Sequence, residues 1–228
     1  MPMSSSSFPS LSQEQQLFDA GYSYVVGIDE VGRGALAGPV SVGLAVVSKQ
    51  QLQLRPTWPA KLRDSKLISE AKRTELYAPV CEWVERFAVG SATAQEIDEH
   101  GIIWALSAAA HRATKKFEQP WPEGNGVVLL DGSHNWLGET FRGLPVVVRV
   151  KADRDCVVVA AASVIAKVTR DNYMISLAVS ESDLESFDFA GNKGYSSPSH
   201  LRALRGLGPS QHHRQTWLSK ILPTDTLF

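Results

Sequence analysis

The sequence predicts an α/β fold in which a mixed β-sheet is flanked by helices. Two runs rich in β-branched residues, at 24–29 and 39–47, have only a glycine-rich connector between them, which indicates neighbouring antiparallel strands. After them, strand-like and helix-like segments alternate, as is typical of layered α/β proteins. An antiparallel start followed by alternation favours a mixed sheet over a purely parallel one.

A helix and a third strand follow these two strands. Ser69 has the chemistry of an N-cap, and Pro79 is expected to end or kink the helix that begins there. Residues 84–91 then fit a third strand. Next, Thr93 and Glu96 have capping-box spacing, which predicts a helical stretch to about residue 116, interrupted near residue 101.

Two further strands and a long helix complete the predicted core. GVVLLDG predicts a buried strand that ends at Asp131, and LPVVVRVKAD predicts another that ends near Asp153. From Ala161 the apolar period becomes helical. Strands and helices therefore interleave along the chain.

The composition allows one compact unit and leaves its partner open. With 228 residues and 43% hydrophobic content the chain can bury a substantial core, and its 23 basic and 24 acidic residues nearly cancel. Residues 191–220 nevertheless carry no acid and five bases, a pattern suited to following a phosphate backbone: Lys193, Arg202, Arg205, Arg214 and Lys220.

The cysteines and the N-terminus indicate a soluble, cytoplasmic protein. Cys81 and Cys156 are far apart and lack zinc-ligand spacing, which favours a reducing compartment without structural zinc. The start, MPMSSSSFPS, has neither part of a signal peptide and predicts a flexible arm. The longest nearly apolar run is half a bilayer span in length, so no membrane association is expected.

Acids stand at the ends of three predicted strands: Asp29 with Glu30, Asp131, and Asp153. Because the ends of neighbouring strands meet at one edge of a sheet, acids far apart in sequence can share one pocket. Four clustered carboxylates repel one another unless cations bind between them. Oxygen ligands favour Mg²⁺ or Mn²⁺ over zinc, and two such ions about 4 Å apart suit in-line attack on a phosphodiester.

A simpler alternative is that each acid merely ends a strand, since Asp-Gly is a common turn. The joint occurrence of four acids argues against it. Asp29 and Glu30 also raise a geometric question, because successive side chains on a regular strand point to opposite faces. Either the strand bends here, as Gly32 and Gly34 permit, or one acid reaches a metal only indirectly.

Six motifs, in their order along the chain, resemble those of the ribonuclease HII family (type 2 ribonuclease H). The first is highly specific, whereas DSK or EID alone would be weak, and the similarity extends over about residues 25–217. The motifs are GIDEVGRGALAGPV at 27–40, DSK at 64–66, EID at 96–98, LLDG at 129–132, AASVIAKVTRD at 161–171 and NKGY at 192–195.

The resemblance implies a ribonuclease H-like fold with a C-terminal helical appendage. Its parts would be a flexible arm at 1–20, a catalytic domain at 21–180 and a helical, basic segment at 181–228 packed on that domain. It further implies a monomeric, metal-dependent endoribonuclease that cuts RNA in RNA/DNA hybrids and cuts 5′ to single ribonucleotides in duplex DNA, as ribonucleotide excision repair requires.

The resemblance also implies the site residues. Two divalent ions, Mn²⁺ or Mg²⁺, are assigned to Asp29, Glu30, Asp131 and Asp153, and hydrolysis would leave 5′-phosphate and 3′-hydroxyl ends. Sensing of the ribonucleotide is assigned to a glycine-flanked backbone that can approach a 2′-hydroxyl and to an aromatic ring that can stack on a sugar or base: Gly32, Arg33, Gly34 and Tyr195.

Four further residues are the phosphate-contacting candidates, of which the last three share one helical face: Lys66, Ser163, Lys167 and Arg170. The alternative for that face is a solvated surface with an ion pair between Lys167 and Asp171.

The chain departs from the family pattern at three places. Ala152 stands where the family has a glycine before the last acid, and Asp155, two residues beyond that acid, is a competing ligand. Gly101 replaces an asparagine, so any contact from that side chain is absent. Ser196-Ser197 replaces Gly-Thr, and Ser197 would serve for the threonine.

The histidines near the C-terminal motifs are not assigned as metal ligands, because oxygen ligands suffice for Mg²⁺. His200 falls where the family has a histidine and is expected to assist there. His212 and His213 are expected on a polar surface beside Arg214.

Two rival functions are distinguished by particular residues. A different metal nuclease, such as a 3′ exonuclease or junction resolvase, needs the acids but neither Gly-Arg-Gly nor the distal Lys-Gly-Tyr. A non-catalytic nucleic-acid-binding module accounts for the basic segment, but not for four acids that would repel a polyanion in the absence of metals.

Overall fold

The sheet has five strands in the order β3-β2-β1-β4-β5 in this computed structural model, which describes residues 8–117, 121–141 and 143–222. The strands are β1 (Tyr24–Val31), β2 (Val40–Ser48), β3 (Arg86–Ala92), β4 (Gly126–Asp131) and β5 (Val146–Arg149). β1 to β3 pair antiparallel, whereas β4 lies parallel to β1 and β5 parallel to β4. This confirms the mixed sheet with an antiparallel start.

Helices cover both faces of the sheet. They are α1 (Ser12–Asp19), α2 (Lys49–Leu54), α3 (Glu70–Trp83), α4 (Ala94–His100), α5 (Ile102–Thr114), α6 (Ala152–Asp155), α7 (Val157–Ser180), α8 (Phe189–Asn192) and α9 (Pro198–Leu207), with 3₁₀ turns at Ser65–Leu67, Ser182–Phe187 and Gln215–Lys220. α3 and α7 pack on one face and α5 on the other. Because strand side chains alternate in direction, Val25 enters the first layer and Val26 the second. None of the helices in the described ranges is long and apolar enough to cross a bilayer.

Two glycines let α7 rest directly on the backbone of the central strands. A Cβ added at Gly27 of β1 would lie 2.6 Å from the carbonyl carbon of Val158. One added at Gly43 of β2 would lie 2.5 Å from the carbonyl oxygen of Ala162. Interiors this closely packed leave no room for a further methyl group.

Pro79 lies inside α3, so it does not end this helix, and the alternative that it kinks the helix stays a prediction. A proline removes one backbone donor, but Val80 and Trp83 are buried in the core and hold the last turn in place. The capping box of Thr93 and Glu96 at the start of α4 is confirmed.

β5 ends at Arg149, so the prediction that this strand extends to Asp153 is wrong. Lys151 has a φ of 63°, a left-handed conformation that takes the chain out of the extended state. Asp153 consequently lies in the short helix α6. α7 begins at Val157, before the predicted start at Ala161.

Residues 12–19 form α1, where the sequence analysis expected a flexible arm. The helix is held because Leu17 and Phe18 are buried in the core layer that contains α7. Glu14 is buried as well, and its Oε1 accepts a hydrogen bond from the N–H of Val158 at 2.9 Å. α1 therefore caps the first turn of α7. The first seven residues lie outside the described part of the chain.

The chain after α7 packs around a third apolar cluster, which joins the loop after β1, the later turns of α7 and α9. The expected basic surface at 191–220 is only partly present, because two of its bases are exposed and two are buried: Arg202 and Arg205, and Lys193 and Arg214. The domain boundaries at residues 20 and 180 stay predictions.

Substituting Gly27 by alanine is expected to lower the free energy of unfolding by about 1–3 kcal/mol or more, because the new methyl group would displace α7. Urea denaturation measures this change. Gly206→Ala is the matched control, since no atom lies within 4 Å of a Cβ added there. Equal stability of the two variants would contradict the close approach of α7.

Glu14 is expected to make stability depend on pH. Burial raises its pKa from the ordinary 4.5 to about 7, so the folded chain holds this proton more tightly than the unfolded chain. Its contribution is therefore full below pH 4.5 and is lost as pH rises to about 7, by up to about 3 kcal/mol. Thermal unfolding of wild type and Glu14→Gln between pH 4.5 and 8 tests this. A difference in melting temperature that is constant over that range would count against it.

Candidate active site

Asp29 and Asp131 lie side by side at the carboxyl ends of two parallel strands. The pairing of β1 with β4 ends at Ile28 and Leu130, and the two acids are the next residues on each strand. Neighbouring strands lie about 4.8 Å apart. Acids separated by a hundred residues of sequence are therefore adjacent, as the sequence analysis expected.

β1 stays regular through both of its acids. Asp29 pairs in register with Gly43 and Glu30 with Val42, and the chain turns only at Gly32, which has a φ of 79°. The side chains of Asp29 and Glu30 consequently leave the strand on opposite sides. Asp29 is 3% exposed and lies on the α7 side, whereas Glu30 is half-buried.

Asp131 and Asp153 are connected through the backbone of α6. The Oδ1 atom of Asp131 accepts a hydrogen bond from the N–H of Ala152 at 2.7 Å, and Asp153 is buried on the same short helix. The left-handed residue in this loop is Lys151. Alanine in place of the family glycine at position 152 therefore imposes no backbone strain.

The carboxyl groups hold more negative charge than their surroundings neutralise. Burial raises the pKa of Asp29 well above its ordinary value, and the charge of Glu30 adds to this effect. Burial likewise raises the pKa of Glu30. The pKa of Asp153 rises to about 6 through burial, with Asp131 and Asp64 as the next causes. Bound cations would remove this repulsion.

The DSK motif places the predicted phosphate-contacting residue Lys66 beside the acids. It also adds a further acid, Asp64, which was not among the predicted site residues. Lys66 Nζ lies 3.6 Å from Asp153 Oδ2. Burial lowers the pKa of Lys66, but the surrounding carboxylates, with Asp29 the strongest, outweigh burial and raise it. Asp64 is buried, and its Oδ1 accepts the N–H of Lys66 at 2.9 Å. Its place in the motif was the signal that could have identified it.

The donor set suits Mg²⁺ or Mn²⁺, because it consists of carboxylate oxygens and carries surplus negative charge. Among the described residues, no three side chains of ligand type are already grouped around one point. Each of these acids instead has another partner. Asp29 Oδ1 accepts the N–H of Glu30 at 2.9 Å. Glu30 Oε1 lies 3.4 Å from Arg33 Nη1, and Asp153 Oδ2 lies 3.6 Å from Lys66 Nζ. The residues therefore fit divalent cations in chemistry and in charge.

A groove of about 430 Å³ opens beside the acids. It brings together most of the predicted substrate-contacting residues, namely Gly32, Arg33, Gly34, Lys66, Lys167 and Tyr195, together with Glu30. The Tyr195 hydroxyl accepts a hydrogen bond from the N–H of Gly32 at 3.1 Å, and Lys167 Nζ lies 5.5 Å from the centre of the Tyr195 ring.

The predicted phosphate-contacting face of α7 is only partly at the surface. Ser163 is buried and its hydroxyl donates to Ser65 Oγ at 2.9 Å. Arg170 is 1% exposed, and every acceptor it has within the described residues is a backbone carbonyl. Both side chains lie under the loops that line the groove, and a phosphate-contacting role for them stays a prediction. Lys167 does pair with Asp171, at 2.7 Å.

Two histidines form a buried support beneath Tyr195. His200 Nδ1 lies 2.8 Å from the Tyr195 carbonyl, which can only accept, so the other ring nitrogen of neutral His200 accepts from His213 Nε2 at 2.9 Å. Burial lowers the pKa of His213 to about 4. The expectation of a surface position is therefore wrong for His213, whereas the half-buried His212 pairs with Glu181.

The fold and site define an α/β enzyme of the ribonuclease H-like type. The crystal structure of the ribonuclease H2 from Pyrococcus horikoshii OT3 matches 87% of this chain and 96% of its own, with a TM-score of 0.65 and 25% identity. The structure of the PCNA:RNase HII complex from Archaeoglobus fulgidus matches 86% of this chain and 96% of the other, with a TM-score of 0.66 and 26% identity.

Sequence comparison gives the particular family. The model of the family described as Ribonuclease HII matches residues 26–220. Ribonuclease HII of Streptomyces griseus is 45% identical over 197 residues, which are 86% of this chain and 78% of that protein. The chain belongs to the ribonuclease HII family, whose members are metal-dependent endoribonucleases that cleave the RNA strand of RNA/DNA hybrids.

Mn²⁺ is expected to raise the melting temperature of the protein relative to excess chelator, because ions that bind only the folded state stabilise it, by about 2.7 kcal/mol at a hundred times Kd. Asp153→Asn should reduce this increment, because it removes one of the predicted ligands. Asp155→Asn is the control, since Asp155 pairs with Arg149 at 3.0 Å. Loss of the increment in the control alone would transfer the ligand role to Asp155.

Proposed function

We propose that the protein cuts 5′ to single ribonucleotides embedded in duplex DNA, as well as within longer RNA/DNA hybrids, using two divalent cations. The main observation in support of this proposal is that two features lie together at one end of the sheet. Four acids from β1, β4 and α6 lie there beside a groove lined by Gly32, Arg33, Gly34 and Tyr195.

The acids would hold the cations. Asp29 and Asp131, on adjacent strands, would bracket the first ion, and Glu30 and Asp153 would complete the site. Divalent ions held by these acids would supply a lowered pKa for the attacking water and charge stabilisation for the leaving 3′-oxygen, and hydrolysis would leave 5′-phosphate and 3′-hydroxyl ends. Lys66, close to Asp153, would lie beside the phosphate at the cut.

The groove would distinguish ribose from deoxyribose and would accept any base. Gly32 and Gly34 have no side chain to keep a sugar away from the backbone, and Tyr195 offers a ring face for stacking. Lys167 is placed beside that ring to contact the phosphate backbone. Little in this set reads the edge of a base, so cleavage should depend on the 2′-hydroxyl.

The working unit would be a monomer, because one chain supplies both the acids and the groove. We place it in the cytoplasm, where the two cysteines, both free in the structure, would stay reduced. The boundaries at residues 20 and 180, which separate an N-terminal segment, a catalytic domain at 21–180 and a segment at 181–228, remain our proposed division of the chain; residues 12–19 of the N-terminal segment pack on the core as α1.

A duplex that holds one ribonucleotide is expected to be cut on the 5′ side of that nucleotide in Mg²⁺ or Mn²⁺, and an all-DNA duplex is expected to stay intact. Mapping of labelled products on a sequencing gel measures both. Equal cutting of the all-DNA duplex would rule out ribose selection, and full activity in excess chelator would rule out the metal mechanism.

The same cleavage assay, applied to variants of the acids and to a matched control, tests the proposed metal ligands. Asp29→Asn and Asp131→Asn should lower cleavage by several orders of magnitude while hybrid binding persists, because each change removes a metal ligand and leaves the groove intact. Asp183→Asn, at an exposed acid that belongs neither to the four acids nor to the groove lining, should cleave like the wild type.

A further inference from the structure

The loop between β1 and β2, residues 32–39, is held from beneath by two buried arginines. Arg214 is 0% exposed and Arg170 is 1% exposed. Within the described ranges, neither guanidinium has a carboxylate within 4.0 Å, and every acceptor that each one contacts is a backbone carbonyl. Buried charge without a counter-ion is rare, and here it is compensated by carbonyl oxygens.

Arg214 holds the part of this loop that lines the groove. Its Nη2 donates to the Gly32 carbonyl at 2.6 Å and its Nη1 to the Arg33 carbonyl at 2.9 Å. Nε and Nη2 also reach the carbonyl of Gly38, at 3.3 and 3.1 Å. The planar fork of a guanidinium can serve several acceptors at once, which a lysine ammonium cannot reproduce in this geometry.

These contacts decide which edge of the backbone faces the groove. In a trans peptide the C=O of one residue and the N–H of the next point in opposite directions. Because the carbonyls of Gly32 and Arg33 point inward to Arg214, the N–H groups of Arg33 and Gly34 point outward. Among the described residues, neither N–H has an acceptor in the protein. The groove therefore presents two hydrogen-bond donors, which suit an acceptor oxygen.

The surrounding segment makes this arrangement rigid. The N–H of Arg214 donates to the Leu36 carbonyl at 2.8 Å, and the N–H of Gly38 donates to the His212 carbonyl at 2.9 Å. Residues 212–214 thus pair with residues 36–38 through one antiparallel β-bridge, between His213 and Ala37. His213, between the two contacts, continues the support through His200 to the carbonyl of Tyr195.

Arg170 joins the two sides of the groove. It donates to the carbonyls of Ala37 and Pro39 in the loop and to the carbonyl of Lys193, two residues before Tyr195. Its guanidinium also lies 5.5 Å from the centre of the Tyr195 ring. The loop, the tyrosine and Arg214 therefore form one connected unit.

We propose that Arg214 is a positioning residue for ribose selection, which orients the Arg33 and Gly34 N–H groups toward an acceptor oxygen of the ribonucleotide at the cut. This inference rests on the proposed function of the groove. Recognition of the ribose would then depend on two N–H donors of fixed direction, and not only on a backbone that a sugar can approach closely. Arg214 would act without contacting the substrate or a metal.

The test measures binding in an inactive background. The affinities of Asp29→Asn for a duplex with one ribonucleotide and for the same all-DNA duplex are determined in Mg²⁺, and their ratio is the ribose preference. Adding Arg214→Gln should lower this ratio by up to about tenfold, because each hydrogen bond contributes a few-fold in affinity. Arg214→Lys, which keeps the charge and loses the fork, should give an intermediate ratio.

The ratio separates positioning from loss of folding. Partial unfolding weakens both affinities by the same factor and leaves the ratio unchanged, so an unchanged ratio in both variants would overturn the inference. Arg202→Gln, an exposed arginine of the same C-terminal segment, is the control and should keep the parental ratio. If Asp29→Asn itself shows no preference for the ribonucleotide, the proposed function of the groove fails, independently of Arg214.

Discussion

The approach of α7 to the sheet is the constraint on which the rest of the molecule depends. Gly27 and Gly43 allow the helix to lie against the backbone of β1 and β2, and α1 caps its first turn through Glu14. From that fixed position α7 supplies Ser163 next to Asp29, Lys167 to the groove and Arg170 to the loop after β1. One helix therefore sets the distance between the acids and the surface that would receive the ribose.

The site places like charges together on a rigid support. Burial and mutual repulsion raise the pKa of Asp29 and Asp153, so these acids weaken the metal-free fold. The surrounding core tolerates this cost because β1, which carries Asp29, is buried on both faces, and α6, which carries Asp153, begins with the buried Ala152. The adjacent Lys66 compensates part of the charge from a side chain that is 68% exposed and free to move away. Such a site is ready for cations without being closed by its own side chains.

Much of the architecture could be predicted from sequence, because it follows from local chemistry. Runs of β-branched and apolar residues gave the strands, the Thr93 capping box gave α4, and acids at strand ends gave a common site. What the sequence could not show was long-range burial. Arg170 has the helical spacing of a surface phosphate contact, and only the folding of loop 32–39 over it makes it structural. Arg214 was missed for the same reason, since its partners are backbone carbonyls about 180 residues away. Asp64, by contrast, has a local partner in Lys66 and could have been assigned from the DSK motif.

The pairing of residues 212–214 with residues 36–38 also determines when the groove can form during synthesis of the chain. The ribosome makes the loop early, but the segment that holds it emerges roughly 10–35 s later at 5–20 residues per second. Until then the carbonyls of Gly32 and Arg33 have no guanidinium beneath them. A nascent chain that already contains all four acids would therefore still lack the hydrogen bonds that orient this side of the groove, so the acids and the groove would be completed at different times.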